Sequence, residues 1–374
     1  MSALTWSLVV CTYRRERVLP RCVRCALGST RPPREVIVVD ASPDWQRTRD
    51  AVLSEFTPDH PQVRFEYVQA RRASLTAQRN QGLELCTADV AFMLDDDSLL
   101  FADSAERIME VYEADVNRRI VALTPVFVVE VPDANVNPPA AGGEPTQGRA
   151  GADESRASPL RKLLRRLLWS DLQLLSYRGT ASIARGGGPS PPYGAAELVK
   201  RFNLILVPFS TGSATFRTEV VRHARFEEML ERYAAGEDWD ISERIKPLGL
   251  IAFCPGARQC HLEAPGGRLS VEAVHFLRYL NFMSLHVLHS TDVKRSRRLY
   301  RQFLWRRVIS EALADLSKRR WGMPRARGTW RALRMLPAMF ARSAREMREW
   351  YPQFQRKVID ADRLPNAAGR PRAF

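Results

Sequence analysis

Short apolar runs alternate with helical segments over the first 130 residues of this 374-residue chain, and the alternation limits the folds open to it. Strands are predicted at 6–12, 35–40, 63–68, 90–94 and 120–131, with helices over 16–27 and 75–86, and a further strand is predicted later in the chain at 204–209. Strands connected through helices run parallel to one another. The pattern therefore predicts an α/β domain with a mixed, mainly parallel sheet and flanking helices.

Three consecutive aspartates, Asp95, Asp96 and Asp97, follow directly after the apolar run 90–94. Ligands of open α/β sheets bind beyond the carboxyl ends of the strands, where these residues are expected. Adjacent carboxylates repel one another, and a divalent metal shared with a phosphate-bearing substrate is the usual compensation. Taken alone, the segment also fits an acidic loop or a helix N-cap.

A second acidic segment, Glu237-Asp238, follows Gly236 at a predicted helix start. A carboxylate there suits a general base, so Asp238 is a candidate, although an ordinary acidic N-cap has the same pattern. His261 follows a predicted strand, and a lone histidine is more often structural than a metal ligand. The Cys22/Cys25 pair has CxxC spacing, which alone is a weak zinc signal, so the six cysteines are expected to be reduced thiols.

The net charge of +15 is concentrated in the C-terminal region. Residues 294–374 hold 22 Lys and Arg against 6 Asp and Glu, whereas the rest of the chain holds 35 against 36. Helices are predicted at 271–290, 296–321 and 329–350, the last broken near Pro337, with aromatic residues among the arginines. Such helices suit an anionic membrane surface, or equally a bundle packed on the rest of the protein.

The middle of the chain is predicted to be an insert at about 132–200, rich in Pro and Gly, with an amphipathic helix at 159–177. We interpret it as an acceptor-recognition element whose deletion would spare donor hydrolysis but abolish transfer. The predicted domains are then 1–268, containing this insert, and a basic helical region, 269–374. Residues 1–13 show no secretory signal pattern, which favours a cytoplasmic location, with peripheral attachment to the inner face of a membrane left open.

Six segments together resemble the family-2 glycosyltransferases of GT-A fold, a Rossmann-like fold of nucleotide-diphospho-sugar transferases. They are similar to the family's motifs in order and spacing, and they lie at 9–14, 35–40, 77–83, 92–97, 211–217 and 236–241. The resemblance covers roughly residues 6–265. It implies a nucleoside-diphosphate sugar donor, a hydroxyl acceptor and a divalent metal, Mn or Mg.

The resemblance also implies roles for individual residues. The nucleotide sugar would be bound by Thr12, Tyr13, Arg14, Asp40, Arg79, Asp95, Asp96, Gly212 and Ser213. Asp97 and His261 would hold the metal. Asp238, supported by Glu237, would deprotonate the acceptor hydroxyl. Because Ala41 follows Asp40 where the family often has an acid or asparagine, the choice among UDP, GDP and dTDP stays open.

The expected function is thus glycosyl transfer with inversion, in the synthesis of a cell-surface polysaccharide, a glycolipid or a secondary metabolite. The acceptor is expected to be lipid-linked or polymeric. A nucleotidyltransferase is one alternative, although residues 12–15 lack the glycine-rich phosphate loop expected of it. The other is a basic membrane- or nucleic-acid-binding scaffold with a degenerate glycosyltransferase fold. Nucleic acid is disfavoured because no helix-turn-helix, zinc-finger or RNP pattern is present.

Overall fold

The computed structural model describes residues 3–132, 195–231, 234–262 and 269–363. These residues form two compact units. The first contains 3–132, 195–228 and 236–262, and the second contains 229–231, 234–235 and 269–363. The amphipathic helix predicted at 159–177 and nearly all of the insert lie outside the described residues. The domain division at residue 268 stays a prediction.

The first unit is built on one mixed β-sheet. Its strands are β1 Trp6–Thr12, β2 Glu35–Asp40, β3 Arg64–Gln69, β4 Val90–Asp95, β5 Ser98–Leu100, β6 Ile120–Val128, β7 Ile205–Leu206, β8 Ala214–Arg217 and β9 Leu250–His261. Its helices are α1 Leu19–Leu27, α2 Trp45–Phe56, α3 Leu75–Leu85, α4 Ser104–Ala114, α5 Ala196–Arg201, α6 Thr218–Ala224 and α7 Glu237–Ile245.

The strand order is β3-β2-β1-β4-β8-β6-β9-β5, with β7 paired to β9. The pairs β3–β2, β2–β1, β1–β4 and β6–β9 are parallel, whereas β8, β5 and β7 pair antiparallel to their neighbours. The predicted mixed, mainly parallel sheet with flanking helices is confirmed. Since the chain runs from β1 to β2 on one side and returns to β4 on the other, β1 and β4 meet at a topological switch point.

Successive side chains of the central strands enter two separate hydrophobic cores, as the two faces of a sheet require. Leu8 and Val10 pack with α1, α2 and α4 on one face. Val9 and Ile37 pack with α3, α6 and α7 on the other. Because helices cover both faces, β1 and β2 are buried along nearly their whole length, which explains their continuous apolar sequence.

Two predicted strands are shorter in the structure. The strand expected at 204–209 is only Ile205–Leu206, because Pro208 lacks the N–H that a ladder needs. The strand expected at 120–131 ends at Val128, which pairs with Cys260 one residue before β9 itself ends. The histidine expected after a strand is instead the last residue of β9.

The second unit is helical, which confirms the predicted C-terminal helical region. Its helices are α8 Val271–His289, α9 Val293–Ser317, α10 Pro324–Phe340 and α11 Ala344–Arg363. The break expected near Pro337 was wrongly placed, since Pro337 lies inside α10 and the chain breaks at 341–343. In the part of the chain that the structure describes, every helix is too short or too polar to traverse a lipid bilayer.

Candidate active site

The switch point between β1 and β4 brings the predicted site residues together. Cys11 of β1 lies opposite Asp95 of β4, so Thr12 and Asp96, each one residue further along the chain, lie side by side. The Thr12 hydroxyl donates a 2.8 Å hydrogen bond to Asp96 Oδ2, and both residues are buried. This hydrogen bond joins the two strand ends at the edge where open α/β sheets bind their ligands.

Asp96 and Asp97 share the guanidinium of Arg15. Its Nη1 donates to Asp96 Oδ1 at 2.9 Å and to Asp97 Oδ2 at 2.8 Å. Burial raises the pKa of Asp96 to about 6, even though Arg15 and the Thr12 hydroxyl pull it the other way. Part of the repulsion expected among the three aspartates is therefore relieved by a cation of the chain itself.

A second arginine, Arg79 of α3, connects the two acidic segments. Its Nη2 donates to Asp95 Oδ1 at 3.1 Å and to the Gly212 carbonyl at 2.7 Å, and its Nη1 donates to Glu237 Oε1 at 3.1 Å. The guanidinium also lies over the Phe226 ring, 5.3 Å from its centroid. Arg79 is buried, so these contacts replace water around its charge.

Glu237 and Asp238 begin α7, after Gly236, whose φ of 102° lies in the left-handed region that suits glycine. Burial, reinforced by the adjacent Asp238, raises the pKa of Glu237 to about 8 and outweighs the attraction of Arg79. Asp238 is half-buried, and its Oδ1 accepts a 2.8 Å hydrogen bond from the Trp239 N–H. The more accessible carboxylate of the pair is therefore Asp238.

Asp95, Asp97 and His261 form a group that could hold a metal ion, with one ligand atom from each within 4.8 Å of the others. His261 reaches the aspartates because β9 pairs with β5, where His261 lies opposite Ser98. Its Nε2 lies 3.6 Å from Asp97 Oδ1. Two carboxylates and an imidazole are ligands that transition metals such as Mn²⁺ accept.

A short chain of hydroxyls contacts the other nitrogen of His261. Ser98 Oγ lies 3.4 Å from His261 Nδ1 and 2.9 Å from Ser213 Oγ, which accepts a 3.3 Å hydrogen bond from the Asp95 N–H. Ligating histidines are commonly oriented through their second nitrogen in this way. The serines therefore hold the imidazole with Nε2 on the side of Asp97.

Comparison with known proteins finds a family that is similar to part of the first unit. A model of glycosyl transferase family 2 matches residues 7–141, which include β1, β4 and the three aspartates. Within residues 7–141 the chain resembles glycosyl transferase family 2. The protein is therefore a glycosyltransferase, which decides against the nucleotidyltransferase alternative. A comparison with curated proteins found no match.

Solved structures resemble this glycosyltransferase in fold at low sequence identity. GalNAc-T7 with UDP, GalNAc and Mn²⁺ is 16% identical with a TM-score of 0.50, over 97% of this chain and 59% of that chain. A mannosyltransferase of Pyrobaculum calidifontis, with GDP-Man and Mn²⁺, is 13% identical with a TM-score of 0.48, over 96% of this chain and 86% of that one. TarS 1–349 of S. aureus, with UDP-GlcNAc, is 12% identical with a TM-score of 0.45, over 94% of this chain and 93% of that one. The GT-A fold expected from the six segments is confirmed.

The glycosyltransferase site gathers most of the residues predicted for it, while their individual roles stay predictions. A Cβ at Gly212 would lie 3.4 Å from Glu237 Oε1 and 3.7 Å from Asp95 Oδ2, which puts this glycine between the two acidic segments. Asp40 is buried at the end of β2, where its carboxylate accepts from the Ser42 N–H and the Tyr67 hydroxyl, both at 2.7 Å. Tyr13 is exposed next to Thr12.

Arg15 was not among the predicted site residues, and the predicted role of Arg14 in nucleotide binding stays a prediction. The Arg14 N–H donates to Ser42 Oγ at 2.7 Å, and its guanidinium lies over the Tyr13 ring, whereas Arg15 pairs with the aspartates. The three adjacent aspartates could have indicated such a residue, because their mutual repulsion favours a basic side chain of the protein nearby, in addition to any bound metal. Ser98 was also missed, and only the β5–β9 pairing reveals its contact with His261.

Proposed function

We propose that this glycosyltransferase moves a sugar from a nucleoside-diphosphate sugar to an acceptor hydroxyl, with inversion at the anomeric carbon. The observation that carries the proposal is the Asp95, Asp97 and His261 group at the β1–β4 switch point. Asp95 and Asp97 lie at or just after the end of β4, and His261 is the last residue of β9, so two strand ends that are distant in sequence converge there. An arrangement with this donor set suits a divalent cation and the diphosphate that it would bind.

Asp95, Asp97 and His261 would hold the metal, and the imidazole favours Mn²⁺ over Mg²⁺, which prefers oxygen ligands. A bound metal would offset the negative charge that develops on the departing nucleoside diphosphate. Arg15 keeps Asp96 and Asp97 in place, and Arg79 does the same for Asp95. The two arginines would thereby set the positions of the acids before the donor binds.

Asp238 would act as the general base on the acceptor hydroxyl. Its partner Glu237 is buried against Arg79 and, with its pKa raised to about 8, retains a proton at neutral pH. One acid of the pair is thus neutral, which removes repulsion from the ionised carboxylate that a base must present. A base that takes the acceptor proton on the face opposite the leaving group gives in-line displacement and inversion.

Thr12, Tyr13, Arg14 and Asp40, at the ends of β1 and β2, would line the nucleotide pocket, and Asp96 would face the ribose. Gly212 and Ser213 would border the transferred sugar, since Gly212 lies between Asp95 and Glu237. The hydroxyl acceptor is proposed to be lipid-linked or polymeric, with a cell-surface polysaccharide, a glycolipid or a secondary metabolite as product. A cytoplasmic location fits such donors.

The donor site is tested by thermal shift and calorimetry with UDP, GDP and dTDP, each with Mn²⁺ or with EDTA. The wild type, Asp97→Asn and Asp59→Asn are compared, Asp59 being an exposed carboxylate outside the site. We expect one nucleotide to bind the wild type and Asp59→Asn only with Mn²⁺, and Asp97→Asn to bind at least tenfold more weakly. A ligand at 100 times its Kd stabilises the native state by about 2.7 kcal/mol, which the shift assay detects readily.

The base is tested separately with Asp238→Asn. This variant should keep Mn²⁺-dependent nucleotide binding while donor turnover falls by a factor of about 10² to 10⁴. Equal nucleotide binding by wild type and Asp97→Asn would contradict the metal assignment. Full turnover by Asp238→Asn would contradict the assignment of the base.

A further inference from the structure

Helix α9 of the second unit exposes an apolar row. Trp305, Ile309, Leu313 and Leu316 follow one another at intervals of four, four and three residues, which places them on one helical face. Their exposed fractions are 49%, 51%, 38% and 40%. Large apolar side chains scattered singly are normal on a surface, but a continuous row of four needs an explanation.

Two further tryptophans extend the row. Trp330 of α10 is 42% exposed and packs edge-on against Trp305, with ring centroids 5.2 Å apart. Trp321, in the turn between α9 and α10, is 74% exposed. We call this set the tryptophan face, and its residues are Trp305, Ile309, Leu313, Leu316, Trp321 and Trp330.

The exposed charges of α9 and α10 are all basic. The two carboxylates of α9, Glu311 and Asp315, are buried within the second unit, where Glu311 pairs with Arg307 and Arg325. Helix α10 contains no acidic residue. The exposed basic residues of the two helices are Lys294, Arg295, Arg297, Arg298, Arg301, Arg306, Arg327 and Arg334.

We infer that the tryptophan face binds the surface of an anionic lipid bilayer. Tryptophans and aliphatic side chains enter the headgroup region, and basic residues add attraction to anionic lipids of about 1 kcal/mol, or fivefold in binding, for each one. This inference concerns where the enzyme is held and does not depend on its donor or its base.

Charge and composition favour a lipid surface over two other possible partners, a second copy of the chain and a single-stranded nucleic acid. A second copy of the chain would bring two basic surfaces together, which repels. A single-stranded nucleic acid would stack on tryptophans, but Ile309, Leu313 and Leu316 offer no stacking surface. Aliphatic side chains beside tryptophans on a basic helix are typical of a helix lying in the plane of a membrane interface.

The test is sedimentation of the full chain with vesicles of phosphatidylglycerol and phosphatidylcholine, against phosphatidylcholine alone, at low and high salt. We expect binding only to the mixed vesicles, weakened by salt. The Ile309→Ser/Leu313→Ser double variant should bind about tenfold more weakly, because it loses apolar area. The matched control, Leu248→Ser/Val116→Ser, changes two exposed apolar residues of the first unit and should bind like the wild type.

The charge contribution is tested with Arg298→Gln/Arg301→Gln. Since each lost charge should weaken vesicle binding about fivefold, the double variant should bind about 25-fold more weakly. Its control, Arg34→Gln/Arg47→Gln, removes the same charge from exposed sites of the first unit and should have little effect. The inference is overturned if the wild type binds neither vesicle, or if both double variants bind like their controls. It is also overturned if the tryptophan face instead mediates binding to single-stranded RNA or self-association that the serine variant abolishes.

Discussion

At the scale of single residues, the acids of the site are held by guanidinium groups of the same unit. Arg15 bridges Asp96 and Asp97, and Arg79 bridges Asp95 and Glu237. These contacts are charge-assisted hydrogen bonds, which are stronger than neutral ones. They explain how the fold tolerates adjacent carboxylates before any ligand arrives, and each arginine can be tested alone.

Arg15→Gln should lower the free energy of unfolding in EDTA, because it leaves two buried carboxylates without their shared cation. Breaking a fully buried pair costs about 3–5 kcal/mol, and the Arg15 side chain is 24% exposed, so we expect about 1–3 kcal/mol. Urea denaturation measures the difference. Arg14→Gln is the matched control, and equal losses in the two variants would contradict the assignment.

Glu237 should make stability depend on pH. Its pKa rises from 4.5 to about 8 on folding, so the native state holds a proton that the unfolded state has lost between those values. The stabilisation from this proton is complete below pH 4.5, falls as pH rises, and is lost above pH 8. Between these values the free energy of unfolding should fall by up to about 1.4 kcal/mol per pH unit. Denaturation of Glu237→Gln in EDTA from pH 5 to 8.5 should lack this slope, whereas exposed Glu55→Gln should keep it.

At the scale of elements, strand pairing and helix caps decide what the residues can do. The antiparallel pairing of β5 with β9 brings Ser98 to His261, although 163 residues separate them in the chain. In the second unit, the boundary between α10 and α11 is set by a cap rather than by proline. The Ser343 hydroxyl accepts from the Glu346 N–H, while the Glu346 carboxylate accepts from the Ser343 N–H and hydroxyl, which forms a capping box.

Ser98→Ala should weaken Mn²⁺ binding by roughly tenfold, because His261 loses the hydroxyl that orients its ring. Electron paramagnetic resonance of free Mn²⁺ measures the affinity directly, without catalysis. Ser54→Ala, an exposed serine of α2, is the control. If Ser98→Ala binds Mn²⁺ like the control while Asp97→Asn does not bind, the metal site stands and the serine has no part in it.

Ser343→Ala should cost about 1 kcal/mol of stability through loss of the cap on α11. Ser317→Ala is the control, since Ser317 is an exposed serine at the end of α9 whose hydroxyl donates to the Ala314 carbonyl. Thermal denaturation monitored by circular dichroism compares the two. A loss in Ser343→Ala no greater than in the control would show that the break has another cause.

At the scale of the whole molecule, the acidic site and the excess basic charge lie in different units of the chain. The six cysteines are free thiols, as expected. The sheet unit carries the acidic site and a family-2 match, and the helical unit carries most of the excess basic charge and the exposed tryptophans. Under the proposals above, the acidic residues of the sheet unit would bind the anionic donor through a divalent metal, and the basic residues of the helical unit would bind anionic lipid.

The sequence by itself determined the elements and the chemistry at their ends. The α/β pattern, the aspartates after β4 and the acids at the start of α7 are local signals, because apolar periodicity and strand or helix ends are encoded by neighbouring residues. Only the tertiary structure decided which side chains these acidic residues contact. Arg15 reaches Asp96 and Asp97, and Arg79 meets Glu237 across 158 residues of chain. Such contacts depend on strand order and register, which no local pattern specifies.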